Sequence, residues 1–221
     1  METFRTDELN NDINLSIKKH EKIKKYFALN TFRITFLAVI TTMNLIMAVF
    51  SKFILHLIPI WEFLTLEVTF FTYLIVAFSV NSFYSVILIV MCSWIRLPML
   101  NDEWVGTLSM MISDILGLVL VMLFYNLFII IFKIENKTKR IYVAFTVASV
   151  IAIGINALLN ILWNYTFILD LYKKMFGFMV SHEFLPTYFG ILFSFNVLKY
   201  TINHIIFISL LKVLIILDKK Y

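Results

Sequence analysis

The chain has 221 residues, of which 61% are hydrophobic and 15% charged, with a mean hydropathy of +0.90 and a formal net charge of +5. Soluble domains carry about 25% charged residues, so this composition excludes a water-exposed globular surface and makes lipid the main solvent. The single cysteine, Cys92, excludes an intramolecular disulfide framework and cannot by itself form a metal cluster. The basic excess does not indicate nucleic acid, because Lys and Arg fall almost entirely at the ends of apolar runs, where membrane topology accounts for them.

Residues 1–27 are predicted to form a basic cytoplasmic segment. The stretch is polar and charged ahead of the first apolar run, which is not the form of a cleavable signal peptide. Its run Lys18-Lys19-His20-Glu21-Lys22-Ile23-Lys24-Lys25 suits attraction to anionic lipid head groups.

Apolar runs then cover residues 28–50, 63–95, 104–132, 140–166 and 187–217. They are continuous rather than alternating, which favours helices over a barrel. As one helix, residues 63–95 would be roughly 50 Å long against a bilayer core of about 30 Å, so a break near Asn81-Ser82 is expected to give two helices. With six helices, the N-terminal segment, the Lys133, Lys137, Lys139, Arg140 cluster and the Lys219-Lys220 tail share the cytoplasmic side, leaving Lys52, Arg96, Lys173 and Lys174 outside. Five would put the 133–140 cluster opposite the basic N-terminus. The positive-inside rule therefore predicts an all-α integral membrane protein with six transmembrane helices over residues 28–217, both termini cytoplasmic, a tail at 218–221, and a multi-pass location in the cell membrane. Trp61, Trp94, Trp104 and Trp163 then fall near outer helix ends, as an interfacial aromatic belt requires. Residues 51–62 and 167–187 are the longest expected outer connections.

Polar side chains in a bilayer are expensive, and those facing the bundle interior are functional candidates. The fifth predicted helix carries Asn156, Asn160 and Asn164 at i+4 spacing, and the sixth carries Asn196, Lys199 and Asn203 at i, i+3 and i+7, each set on one face. Lys199 lies about 18 Å along its helix from Thr187, too deep to snorkel to either interface, and Asp114 lies a comparable 15 Å or so below Trp104. A buried Asp114–Lys199 ion pair fits that geometry. Glu67 lies near the outer mouth of the second helix.

Any one Asn is explained as interhelical glue, worth about 0.6 kcal/mol on average. Two aligned stripes around a buried ammonium point instead to a binding site. Asn supplies both donor and acceptor, as the imide-like edges of flat heterocycles require, and Phe and Tyr offer faces for stacking. Thr41, Thr42, Asn44 and Asn126 suit packing, Arg33 suits snorkelling, His56 and His182 suit loops, and His204 suits a satisfied buried histidine.

The C-terminal third carries a family resemblance. Asn164-Tyr165, then Leu171-Tyr172, then Phe195-Asn196-Val197-Leu198-Lys199 resemble the end of riboflavin-type substrate-binding (S) components of energy-coupling factor (ECF) transporters. In that family an Asn-Tyr near the end of helix five precedes a Pro-Leu-Tyr, and a Phe-Asn-Leu-Ile-Lys lies within helix six. Asp102-Glu103-Trp104-Val105-Gly106 is similar to the Gly-Glu-aromatic start of the family's fourth helix, and Phe63-Leu64-Thr65-Leu66-Glu67 to its loop into helix two. Length and layout agree over residues 28–217. The resemblance implies that Asn196 and Lys199, with Asn164 and Glu67, contact riboflavin or a related flat vitamin from the outer side. Asn160 and Asp114, from the polar faces, complete the predicted substrate-binding set. It also implies a transmembrane T component and two cytoplasmic ATPases as partners, and no cofactor for catalysis. The sequence agrees in having no Gly-x-x-x-x-Gly-Lys-Ser/Thr phosphate loop. It departs from the family at Asp170, where Pro is usual, in its few glycines, and in the Ala-x-x-x-Ala stripe that meets the T component, which survives only as Ala38 and Thr42.

A membrane scaffold whose polar residues only fasten helices is the alternative. An enzyme is not expected, because no His-Glu-x-x-His or Gly-x-Ser-x-Gly motif is present. A stand-alone secondary transporter would show an internal repeat and helices broken in both halves, whereas Pro59, Pro98 and Pro186 are expected at helix ends.

Overall fold

The computed structural model describes residues 21, 24, 26–55, 66–177, 180–181 and 183–218, the side chains of 217 and 218 excepted. Most of the basic N-terminal run, His56, Pro59, Trp61, residues 63–65, His182 and the Lys219-Lys220 tail lie outside them. The chain divides into two compact units, residues 1–38 and 39–221. In the first, Asn30 caps helix α1 (Thr31–Phe53), its Oδ1 accepting the Arg33 N–H at 2.8 Å. Arg33 Nη1 donates to the Ala28 carbonyl at 2.7 Å, so the guanidinium satisfies backbone ahead of the helix.

The second unit holds the rest of α1, followed by α2 (Phe70–Ser79), α3 (Ser82–Leu100), α4 (Trp104–Ile131), α5 (Lys137–Trp163), a π-helical turn (Asn164–Ile168), α6 (Leu169–Phe176) and α7 (Leu185–Asp218). No strand occurs among the described residues. Five helical stretches are long and apolar enough to cross a membrane: Thr31–Phe53, Ser82–Leu100, Trp104–Ile131, Lys137–Phe176 and Leu185–Ile216. Their outward faces are apolar, with Ile46, Leu123, Ile130, Val150, Leu158 and Ile205 all more than half exposed. This is the architecture of a multi-pass, all-helical membrane protein.

The break expected in the second apolar run is present. Asn81 stands in extended backbone between α2 and α3, and its side chain accepts the Tyr84 N–H at 2.9 Å, capping α3. The first product of the break is short: α2 has 10 residues, about 15 Å of rise, half the hydrocarbon thickness. Every residue from Phe70 to Ala77 is buried, as a helix apolar on nearly every side requires when protein surrounds it. Neighbouring helices pack in the order α2, α3, α4, α5, α7 and back to α2, which closes a ring. Helix α1 turns Ile40, Asn44, Ala48 and Ser51 inward, one face at i+4 and i+3 spacing. Asn44 Nδ2 donates to Thr72 Oγ1 at 2.7 Å, and the Ser51 hydroxyl accepts the Val68 N–H at 3.0 Å, so α1 satisfies the backbone and hydroxyls that open α2.

One expectation changes. Residues 167–187 are not a connection throughout, because helix continues through the π turn to Phe176. An Asp170–Lys174 pair at 2.7 Å with i,i+4 spacing, Lys173 and Lys174 in the last turn, and Gly177 at φ +66° sustain and then end it. Arg96, assigned by charge placement to the outer side, has a buried side chain: it is 3% exposed, and it continues the buried face of Ser85, Ile89 and Cys92 on α3.

Helices α4 and α5 meet closely at Gly117, where an added Cβ would lie 2.9 Å from Asn156 Nδ2 and 3.5 Å from the Phe70 ring. That Nδ2 donates to the Ser113 carbonyl at 3.3 Å. Gly154 faces open space, with nothing within 4 Å of an added Cβ. Gly117→Ala should therefore lower the unfolding midpoint in detergent by several degrees, while Gly154→Ala should leave it unchanged or raise it, helix propensity adding up to about 1 kcal/mol of stability. Thermal unfolding followed by circular dichroism checks the contrast.

Candidate substrate-binding cavity

A cavity of about 540 Å³ lies between α4, α5 with its π turn and α6, and α7. That volume is within the usual range for a small-molecule site, roughly 300–1,000 Å³. Ser113, Asn160, Asn164, Asn196 and Lys199 line its inner part, Tyr172, Phe176, Tyr188 and Phe195 supply aromatic surface, and Glu67, Asp102 and Glu103 add carboxylates. Asp102 and Glu103 precede α4 and Tyr188 begins α7, so the carboxylate end is the helix-terminal mouth.

The inner part is a directed hydrogen-bond chain. Lys199 Nζ lies 3.1 Å from Asp114 Oδ1, and the Tyr200 hydroxyl donates to the same oxygen at 2.7 Å. Since Tyr200 spends its proton there, Ser113 Oγ must donate to the Tyr200 oxygen, 2.8 Å away. Asn160 Nδ2 in turn donates to Ser113 Oγ at 2.7 Å, and Asn164 Nδ2 donates to Asn160 Oδ1 at 2.7 Å. All dipoles run toward the Asp114 carboxylate, which is how an anion is stabilised away from water.

Two amide orientations are fixed by backbone. Asn164 Nδ2 also donates to the Asn160 carbonyl at 2.9 Å, and Asn196 Nδ2 donates to the Leu192 carbonyl at 2.8 Å. A carbonyl only accepts, so neither amide can flip. Asn164 Oδ1 and Asn196 Oδ1 accept no hydrogen bond from any described residue, and Lys199 retains N–H groups beyond the one on Asp114. The cavity thus offers two acceptors and a cationic donor among aromatic rings.

The structure brings Asn160, Asn164, Asn196, Lys199 and Glu67 to this one cavity. Asp114 is placed differently from a ligand contact: it is 2% exposed and stands behind Lys199 without lining the space. Asn203 shares the Lys199 face but is structural, because its Nδ2 donates to the Glu67 and Lys199 carbonyls, each at 2.9 Å, and its Oδ1 accepts the Phe71 N–H at 3.0 Å. His204 Nδ1 lies 2.7 Å from the Tyr200 carbonyl, and the ring sits between Phe70 and Phe145, a packed position. Ala38 and Thr42 are exposed on α1, Cys92 is buried, and no group of metal-ligating side chains occurs among the described residues.

Sequence reasoning missed the support of Glu67. Arg96 grips its carboxylate with both terminal nitrogens, Nη1 at 3.0 Å from Oε2 and Nη2 against Oε1, and Nη2 lies 3.6 Å from Asp102 Oδ2. Lys52, at the end of α1, pairs with Asp102 and donates to the Leu100 carbonyl. The buried i+3/i+4 face of α3, on which Arg96 lies between Cys92 and Leu100, was the available signal. Ser113 and Tyr188 carry no pattern of their own and are recruited only by packing, whereas Glu103 and Tyr172 lie in stretches that the family resemblance had already marked.

No protein-family model matches the sequence, and no curated protein matches it.

Removing one partner of a buried ion pair strands the other, at about 3–5 kcal/mol, whereas replacing both with apolar groups costs far less. Lys199→Met should lower the detergent unfolding midpoint sharply, and adding Asp114→Leu should recover much of the loss. Additive losses in the double variant would show that the pair does not hold the bundle.

Proposed function

We propose that this chain is the substrate-capturing membrane subunit of an ATP-driven importer, a protein resembling the riboflavin-type S components of ECF transporters. In this reading six helices cross the cell membrane, α2 being part of one of them. Both termini are cytoplasmic and the cavity opens outward. The captured ligand is riboflavin or a related flat heterocycle, received by Asn164, Asn196 and Lys199 and stacked among the aromatic side chains. A T component and two ATPases supply the coupling, with α1 at Ala38 and Thr42 as the docking face. The chain itself carries out capture, not catalysis.

One observation supports capture over a purely structural role. Asn203 spends three hydrogen bonds within the protein, and Asn44 and Asn156 each leave a buried oxygen unpaired in packed surroundings, but Asn164 and Asn196 combine an acceptor oxygen that has no described partner with a place on the cavity wall. Leaving such groups unpaired is costly unless a ligand or water pairs with them.

The expected result is a flavin-type absorbance and fluorescence co-purifying with the detergent-solubilised protein, and nanomolar to micromolar riboflavin binding by fluorescence titration. Asn164→Ala and Asn196→Ala should each weaken binding roughly 5- to 100-fold, the equivalent of about 1–3 kcal/mol. Binding unchanged in both variants would remove the site assignment. A stable association with some assembly other than the ATPases, and no small ligand, would favour the scaffold role.

A further inference from the structure

The cations around the cavity are already matched. Lys199 is paired with Asp114, Arg96 with Glu67 and Asp102, and Lys52 with Asp102. Against these three cations stand four carboxylates, because Glu103 also lines the cavity. Its partner is neutral: the Tyr172 hydroxyl donates to Glu103 Oε2 at 3.1 Å across the mouth. Among the described residues no Lys or Arg forms an ion pair with Glu103. On α6, Lys174 is engaged by Asp170, and neither it nor Lys173 lines the space.

We propose that the mouth selects by charge, with Glu103 as the specificity-determining residue, so that the cavity takes an uncharged or cationic heterocycle and rejects the phosphate ester of the same compound. This inference rests on the capture reading above. A phosphate needs a cation whose charge is not already spent. Lys199 can offer further N–H groups, but drawing it away from Asp114 strands a buried carboxylate. At the mouth the ester meets Asp102, already shared by two cations, and Glu103, shared by none. Like charges about 6 Å apart, at an effective dielectric near 20, disfavour binding about 100-fold. A ligand present outside as its ester must then first be hydrolysed by water to the alcohol and inorganic phosphate, so a phosphohydrolase reaction precedes capture.

The test compares riboflavin with riboflavin 5′-phosphate on the full-length detergent-solubilised protein, at low and at high ionic strength. The ester should bind at least about 100-fold more weakly at low salt, and the ratio should shrink as salt screens the exposed carboxylate. Glu103→Gln should narrow the ratio by up to about 100-fold, and Glu103→Asp, which keeps the charge, should preserve it. An ester that binds as tightly as riboflavin, or a ratio unmoved by both salt and Glu103→Gln, overturns charge selection and leaves capture standing. Failure of both compounds to bind overturns capture, and this inference with it.

Discussion

The contact between Lys199 and Asp114 organises the bundle around it. Each charge alone would cost several kcal/mol to bury, and the two side chains are 5% and 2% exposed, so each requires the other. Helices α4 and α7 carry the two residues and are not neighbours in the ring; their polar groups meet inside it. From Asp114 the polar arrangement propagates outward through Tyr200, Ser113, Asn160 and Asn164, each link fixing the direction of the next. The cavity is what remains where that chain stops and acceptors are left over.

A second constraint is the burial of α2. A 10-residue helix surrounded by protein cannot turn its end groups to water or lipid. Its opening is held from three sides: Asn44 and Ser51 from α1, Asn203 from α7, and the Arg96 grip on Glu67 from α3. Asn203 ties the two constraints together, since it accepts from Phe71 and donates to Lys199's own carbonyl. The residues that build the mouth, Glu67 and Asp102, are thus fixed by the same groups that satisfy the buried helix.

How much of this was legible follows from what each residue answers to. Asn156, Asn160, Asn164, Asn196 and Lys199 stood out because helical spacing puts each set on one face, and lipid makes any polar face conspicuous. The Asp114–Lys199 contact was foreseeable from matched depths along two helices. The burial of Arg96 was not legible, because counting charges by loop says nothing of whether a side chain at a helix end folds inward. The helix through Phe176 was hidden because Asp170, Lys173 and Lys174 look like connection residues until the π turn carries the backbone on into α6.

The sequence by itself determined the solvent, the helical class, the break at Asn81 and the polar faces, because bulk apolarity, helix length and i+4 periodicity are local properties. Only the tertiary structure decided which amide oxygens are left without partners, that Asp114 stands behind Lys199 and not in the cavity, and that Glu67 and Asp102 are matched by Arg96 and Lys52 while Glu103 is not. Those are questions of which groups from distant helices meet, and hydrogen-bond and charge matching are settled between elements, not along them.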